Sequence, residues 1–283
     1  MHIIRTGSPT IQRNEYSNWS YQGEATITPD FELFINVLKQ RDLTLLFTSL
    51  QDDIERIAGS EKARNTALKA LAIRYPDTFH FMILAHDSDF YYQHGAFEQL
   101  NIVEELKAYF LYQITTSQDS FFIEPNTLAQ VDFKRIMDEV HTDAFENQLK
   151  LSKQEREIFI ELCYTRFTIA LIDHHAASYV INCCKDSIDR AGIRNALMHY
   201  FLLLSSGKEL SPENLNPIYM YLHAGALLVK KRALNERKNR LTVVLGHLEK
   251  PEVRARLSER LRGVFPCSDI GIQRVDEQRE YKL

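Results

Sequence analysis

Glycine and proline are scarce in this chain, eighteen among 283 residues. That is about half of what average usage, roughly 12% for the two together, would give. A chain so short of turn residues is hard to cut into many short strands. It points to a helix-rich fold rather than a sandwich. Hydrophobic residues make up 45% and charged residues 25%, the usage of a globular domain. These proportions exclude collagen, disorder and a disulfide scaffold. No internal repeat, low-complexity tract or linker divides the sequence. We read residues 1–283 as a single domain in which the polar segment 1–24 forms a peripheral N-terminal arm, anchored by Trp19 and Tyr21.

The formal net charge of -4 argues against an overall nucleic-acid coat. Four cysteines, Cys163, Cys183, Cys184 and Cys267, are too few for a framework, and adjacent Cys183 and Cys184 pair poorly with each other. Reduced thiols imply a cytoplasmic setting. The start shows no apolar signal segment, and Phe201–Leu204 is too short to span a bilayer.

Hydrophobic periodicity supplies the elements. Thr28-Pro29 opens a helix carrying Phe31, Phe34, Ile35 and Leu38. Leu43–Leu50 and Phe79–Leu84 read as strands, with a helix from Ser60 between them and the polar loop His86-Asp-Ser-Asp89 after the second. Ile102 to Gln113 forms a long helix, and Ser120–Ile123 a short strand. Ser152-x-x-Glu155 is a capping box for another helix. Tyr179–Ile181 has strand character, and Ile193 to Leu204 continues as a helix stopped near Gly207. Asn216-Pro217 starts one more. Strands interleaved with helices give a helix-rich α/β domain with a small central mixed sheet.

The chemistry concentrates in Asn182-Cys-Cys-Lys-Asp-Ser-Ile-Asp-Arg-Ala-Gly192. Cys184 and Arg190 bracket a five-residue loop between a strand and a helix. Such a turn directs backbone N–H groups inward, and the helix adds its positive end, which together cradle a phosphate. Arg190 offers a bidentate fork. The same field favours the Cys184 thiolate as a nucleophile. Asp186 or Asp189 can protonate a leaving oxygen and later activate water. The bland alternative makes both cysteines core thiols and Ser187 or Asp189 a helix cap.

Cys184-Lys-Asp-Ser-Ile-Asp-Arg190 resembles the active-site loop of the cysteine-dependent phosphatases, in particular the phosphoinositide branch. Asp186, Asp189 and Arg190 match the Cys-x-Asp-Cys-x-Asp-Arg of Sac-type lipid phosphatases. Lys185, Asp189 and Arg190 match the Cys-Lys-Ser-x-Lys-Asp-Arg-Thr of inositol polyphosphate 4-phosphatases and of phosphoinositide phosphatases secreted by intracellular bacteria. The resemblance covers about ten residues. It implies a cysteine-phosphatase-like fold, Cys184 as nucleophile, Arg190 as phosphate clamp, an acid drawn from the loop, and Lys185 near a second phosphate. Ser187 and Ile188 complete the substrate-facing loop. It also raises delivery into a host cell. The chain departs from these families at Ala191, where they place Ser or Thr to help the thiolate leave.

Two further features bear on function. Lys230-Lys231-Arg232 and Arg237-Lys238-x-Arg240 form a basic run that suits multiply phosphorylated head groups and an anionic membrane, or simply a solvated helix face. Ile172-Asp-His-His175, with Asp87-x-Asp89, resembles the signature of the DHH phosphoesterases, which hold two metal ions. A zinc site from His174, His175, Cys183 and Cys184 lacks zinc spacing. The ordinary reading of His174 and His175 is a helix C-terminus.

The expected activity is therefore hydrolysis of a phosphoinositide or inositol phosphate through a phosphocysteine, with no cofactor and no metal. Cys184, Arg190, Asp189 and Asp186 act on the ester. Lys185, Ser187, Ile188, Lys230, Lys231 and Arg232 bind it. The alternatives are a phosphoinositide-binding pseudo-phosphatase, a protein phosphatase of the same chemistry, and the metal-dependent phosphoesterase. From Cys184 to Arg262 there are fifteen Lys and Arg against eight Asp and Glu. The near-neutral total thus conceals a basic portion that begins at the loop, and such an asymmetry can focus an anionic ligand.

Overall fold

Nine strands and eleven helices alternate along the computed structural model, which describes residues 1–12, 16–17, 20–21, 24–53, 60–117, 121–207, 211–231, 234–262 and 264. The strands are β1 (His2–Ile4), β2 (Thr10–Gln12), β3 (Tyr16–Ser17), β4 (Ser20–Tyr21), β5 (Ala25–Ile27), β6 (Leu45–Ser49), β7 (Phe79–Leu84), β8 (Phe121–Ile123) and β9 (Tyr179–Cys183). The helices are α1 (Pro29–Gln40), α2 (Ser60–Arg74), α3 (Asp89–Tyr92), α4 (Val103–Thr116), α5 (Pro125–Gln130), α6 (Phe133–Phe145), α7 (Lys153–His174), α8 (Asp189–Ser205), α9 (Pro212–Lys230), α10 (Asn235–Leu248) and α11 (Pro251–Leu261).

A five-stranded mixed sheet runs in the order β1-β9-β6-β7-β8. Its first four strands are parallel and β8 is antiparallel at one edge. The fold is thus helix-rich α/β. Side-chain alternation along the strands divides the core in two. Leu45, Phe47, Phe79, Phe81, Ile83, Ile181 and Cys183 face α1 and α2. Leu46, Met82, Leu84 and Val180 face the larger helical layer built on α4, α6, α7 and α8. Helix α8 is buried from Arg190 to Ser205, which explains why its sequence carries apolar residues all round. Gly192 lets α9 approach it closely, since a Cβ there would lie 3.2 Å from the Leu222 carbonyl oxygen.

Several local expectations hold. Thr28 occupies the N-cap position of α1, without a side-chain capping bond, and Pro29 lies in its first turn, β7 spans Phe79–Leu84, and Ser152 and Glu155 form the reciprocal capping box of α7. Others need correction. The first residues are not a peripheral arm, because His2–Ile4 pairs with β9 as an edge strand of the central sheet. Asn216-Pro217 does not open a helix; α9 starts at Pro212 and carries Pro217 inside it. Ser-Pro at 211–212 supplies the earlier start, with proline in the first turn, and Pro217 in the second turn costs α9 one backbone hydrogen bond. Trp19 and Cys267 lie outside the described residues.

Candidate active site

The parallel strands β9, β6 and β7 end side by side, and the crevice beyond the carboxyl ends of such strands is where α/β folds place their ligands. Each strand delivers one part of the site. After β9 comes the Cys184 loop, after β6 come Leu50 to Asp53, and after β7 come His86 and Asp87. The pleat separates the two cysteines. Cys183 points into the α1–α2 core, where its thiol donates toward the carbonyls of Cys184 and Thr6. Burial, reinforced by the neighbouring Cys184, pushes that thiol up to about 12. Cys184 instead joins Leu50 and Ala191 in a small cluster at the sheet end and is 4% exposed.

The loop is held from outside by its carbonyls. Arg5, just after β1, donates to the carbonyls of Ser187 (2.8 Å), Ile188 (3.4 Å) and Tyr221 (2.9 Å). The Lys185 carbonyl accepts the Ser8 N–H at 3.0 Å. A planar trans peptide points its N–H opposite to its carbonyl. The amides of Asp186, Ile188 and Asp189 are therefore turned to the other side of the loop. Ser187, in the left-handed region at φ +50°, makes the bend; its N–H donates to the Cys184 carbonyl and its hydroxyl to that of Asn182. Burial lowers the Arg5 guanidinium, while the Cys184 sulfur acts in the opposite direction.

Arg190 is buried. It donates to both carboxylate oxygens of Glu61 (2.5 and 3.2 Å) and to the Leu50 carbonyl (3.1 Å), and it forms an ion pair with Asp87 at 2.9 Å. Burial alone would lower it, but Glu61 and Asp87 raise it well above the usual guanidinium value. For Glu61, burial would raise the carboxyl, yet Arg190, the Asp52 N–H and Arg64 hold it below its ordinary value. Asp87 is shared: its second oxygen accepts from Arg237 on α10 at 3.0 Å. Beneath it His86 is fully buried, stacked on Tyr91 and Tyr164. Burial keeps it neutral, helped by the charges of Arg194, Arg237, Arg240 and Arg190.

The expected residues separate into those at the loop and those away from it. Cys184, Ser187, Ile188 and Arg190 are buried together, Lys185 and Asp186 are exposed on the loop, and Asp189 is the first residue of α8. Ile188 presents a carbonyl to Arg5 rather than a polar side chain. Lys231 is exposed past the end of α9, while the Lys230 side chain and Arg232 lie outside the described residues. The cations that reach the loop are Arg5 and, through Asp87, Arg237.

Asp173, His174 and His175 end α7. His175 stacks on His80 at 3.6 Å, at the amino end of β7, and burial lowers its imidazole to about 3. Asp87 lies beyond the opposite end of that six-residue strand, about 20 Å away at strand rise, so the halves of the DHH-like pattern do not meet. Among the described residues, no three His, Cys, Asp or Glu side chains gather as a metal site, and no helix is long and apolar enough to cross a membrane. The chain matches no protein-family model, no curated protein and no solved structure.

Proposed function

We propose that the chain is a cysteine-dependent phosphatase acting on a phosphoinositide or inositol phosphate. The observation that carries this reading is the Cys184–Arg190 loop itself. It joins a central parallel strand to a buried helix, its carbonyls are drawn outward by Arg5 and Ser8, and its cysteine is buried against Leu50 and Ala191 at the sheet end. The phosphate oxygens take the loop amides and the Arg190 fork, in exchange for the carboxylates that hold Arg190 in the resting state. The Cys184 thiolate attacks phosphorus, the ester P–O bond breaks, and Asp186 or Asp189 gives its proton to the leaving alkoxide. The resulting carboxylate takes a proton from water, whose oxygen displaces the thiolate and releases inorganic phosphate. Cys184→Ser should abolish phosphate release from inositol lipids and inositol phosphates while preserving the fold; release that survives the substitution and stops with EDTA overturns the reading.

Fully buried Ala191 favours a second reading, a phosphoinositide-binding pseudo-phosphatase. With no hydroxyl after the arginine, breakdown of a phosphocysteine loses one source of help. Binding that never leads to a labelled Cys184 marks that case.

A further inference from the structure

Arg237 on α10 is separated from the phosphate clamp by a single carboxylate. Asp87 forms an ion pair with Arg190 through one oxygen and accepts from Arg237 and the Tyr92 hydroxyl through the other, so the two guanidinium groups stand a carboxylate apart. Arg237 lies over the Tyr92 ring and lines a groove of about 340 Å³ with Tyr92, His94, Gln154 and Asn239. One of its terminal nitrogens is buried with no hydrogen-bond partner among the described residues, a donor left unused at a position where desolvation is costly. Its neighbour Arg240 is different: Glu161, Glu157 and the Tyr91 carbonyl take its donors, which fixes α10 on α7. Glu236 and Glu157 also line the groove; Glu157 is committed to Arg240. The side chain positioned to receive an anion is therefore Arg237.

We infer that Arg237 is the subsite for a second phosphate of the substrate, and that Asp87 is the placeholder occupying the gap between the two phosphate positions. The inference rests on the phosphatase reading and sharpens it. The substrate is a small ring or chain bearing at least two phosphates close enough to bridge Arg190 and Arg237, free or on a lipid. Neighbouring phosphates on a six-membered ring meet this requirement. A bisphosphate displaces Asp87 from both arginines at once, whereas a monophosphate must compete for Arg190 and leave Asp87 on Arg237.

The test compares the wild-type chain with Arg237→Ala and Arg237→Lys on three substrates. They are inositol 1-phosphate, inositol 1,4,5-trisphosphate, and phosphatidylinositol 4,5-bisphosphate in phosphatidylcholine vesicles. Loss of one charge-assisted phosphate contact should lower kcat/KM for the multiply phosphorylated substrates about 30-fold more than for the monophosphate. Arg237→Lys, which keeps the charge without the fork, should fall between. The wild-type preference between trisphosphate and vesicle identifies the source of the phosphates. Equal losses on all three substrates, or no loss on any, overturn the subsite. If the wild type releases phosphate from none of them, the phosphatase reading fails and calorimetric titration with the trisphosphate decides the subsite. Binding at least about 10-fold weaker in Arg237→Ala supports it; equal affinity, or no binding to the wild type, refutes it.

Discussion

Glu61→Gln tests the resting state of the clamp. The carboxylate accepts two hydrogen bonds from Arg190 and a third, 2.8 Å long, from the Asp52 N–H. Glutamine keeps the shape but has one acceptor oxygen, and its amide opposes one of these donors with another donor. A hydrogen bond to a charged group contributes about 1.5–3 kcal/mol. Glu61 is partly exposed, so screening reduces the gain, and Asp87 still neutralises Arg190. A loss of about 2 kcal/mol at neutral pH follows, or roughly 3–4 °C in Tm for a chain of this size. The pH dependence has a fixed sign. Glu61 is held below its ordinary value in the folded state, so its contribution is complete above the unfolded carboxylate value of about 4.3 and fades as pH falls through the folded value. Denaturant unfolding should show wild type and variant separated at pH 7, with the separation shrinking as the pH falls below the unfolded value of about 4.3. The freed clamp should also bind inorganic phosphate more tightly, since one competing carboxylate is gone. A difference under about 0.5 kcal/mol at pH 7, typical of an exposed pair, or a separation that grows as the pH falls below about 4.3, refutes the clamp.

Two other substitutions probe the helix behind the loop. Ala191→Ser places a hydroxyl beside Cys184 within their shared cluster. Rapid-quench assays should show a burst of leaving group followed by slow turnover in the wild type, and a steady-state rate about 10-fold higher in the variant; absence of a burst contradicts this. Gly192→Ala drives a Cβ against the Leu222 and Tyr221 backbone. Overpacking of about 1–3 kcal/mol should outweigh the gain in helix propensity of about 1 kcal/mol, which chemical denaturation will register as a lowered midpoint.

The loop was legible because its determinants are local. A β-branched run, two cysteines and a helix start follow one another within a dozen residues, and the structure places strand, loop and helix in that order. The partners of Arg190 were not legible. Glu61 and Asp87 stand far upstream of it, and only the parallel pairing of β9 with β6, and of β6 with β7, carries them to the same sheet end. Asp87 looked like half of a metal motif, since sequence alone cannot tell that His175 belongs to the other end of the sheet. Arg237 was visible only as one cation in a basic run, with nothing local to set it apart from Lys231. The edge strand His2–Ile4 is too short to show a period, and it is fixed by pairing with β9.

The central claim is a covalent intermediate on Cys184. Alkaline quench of the enzyme during turnover of a radiolabelled inositol phosphate, followed by peptide mapping, measures it directly. The account predicts labelled phosphate on the peptide containing Cys184, kept at alkaline pH and lost in mild acid as a phosphorus–sulfur bond requires, absent from Cys184→Ser and chased from the wild type by unlabelled substrate. Steady release of phosphate with no label on that peptide would contradict it.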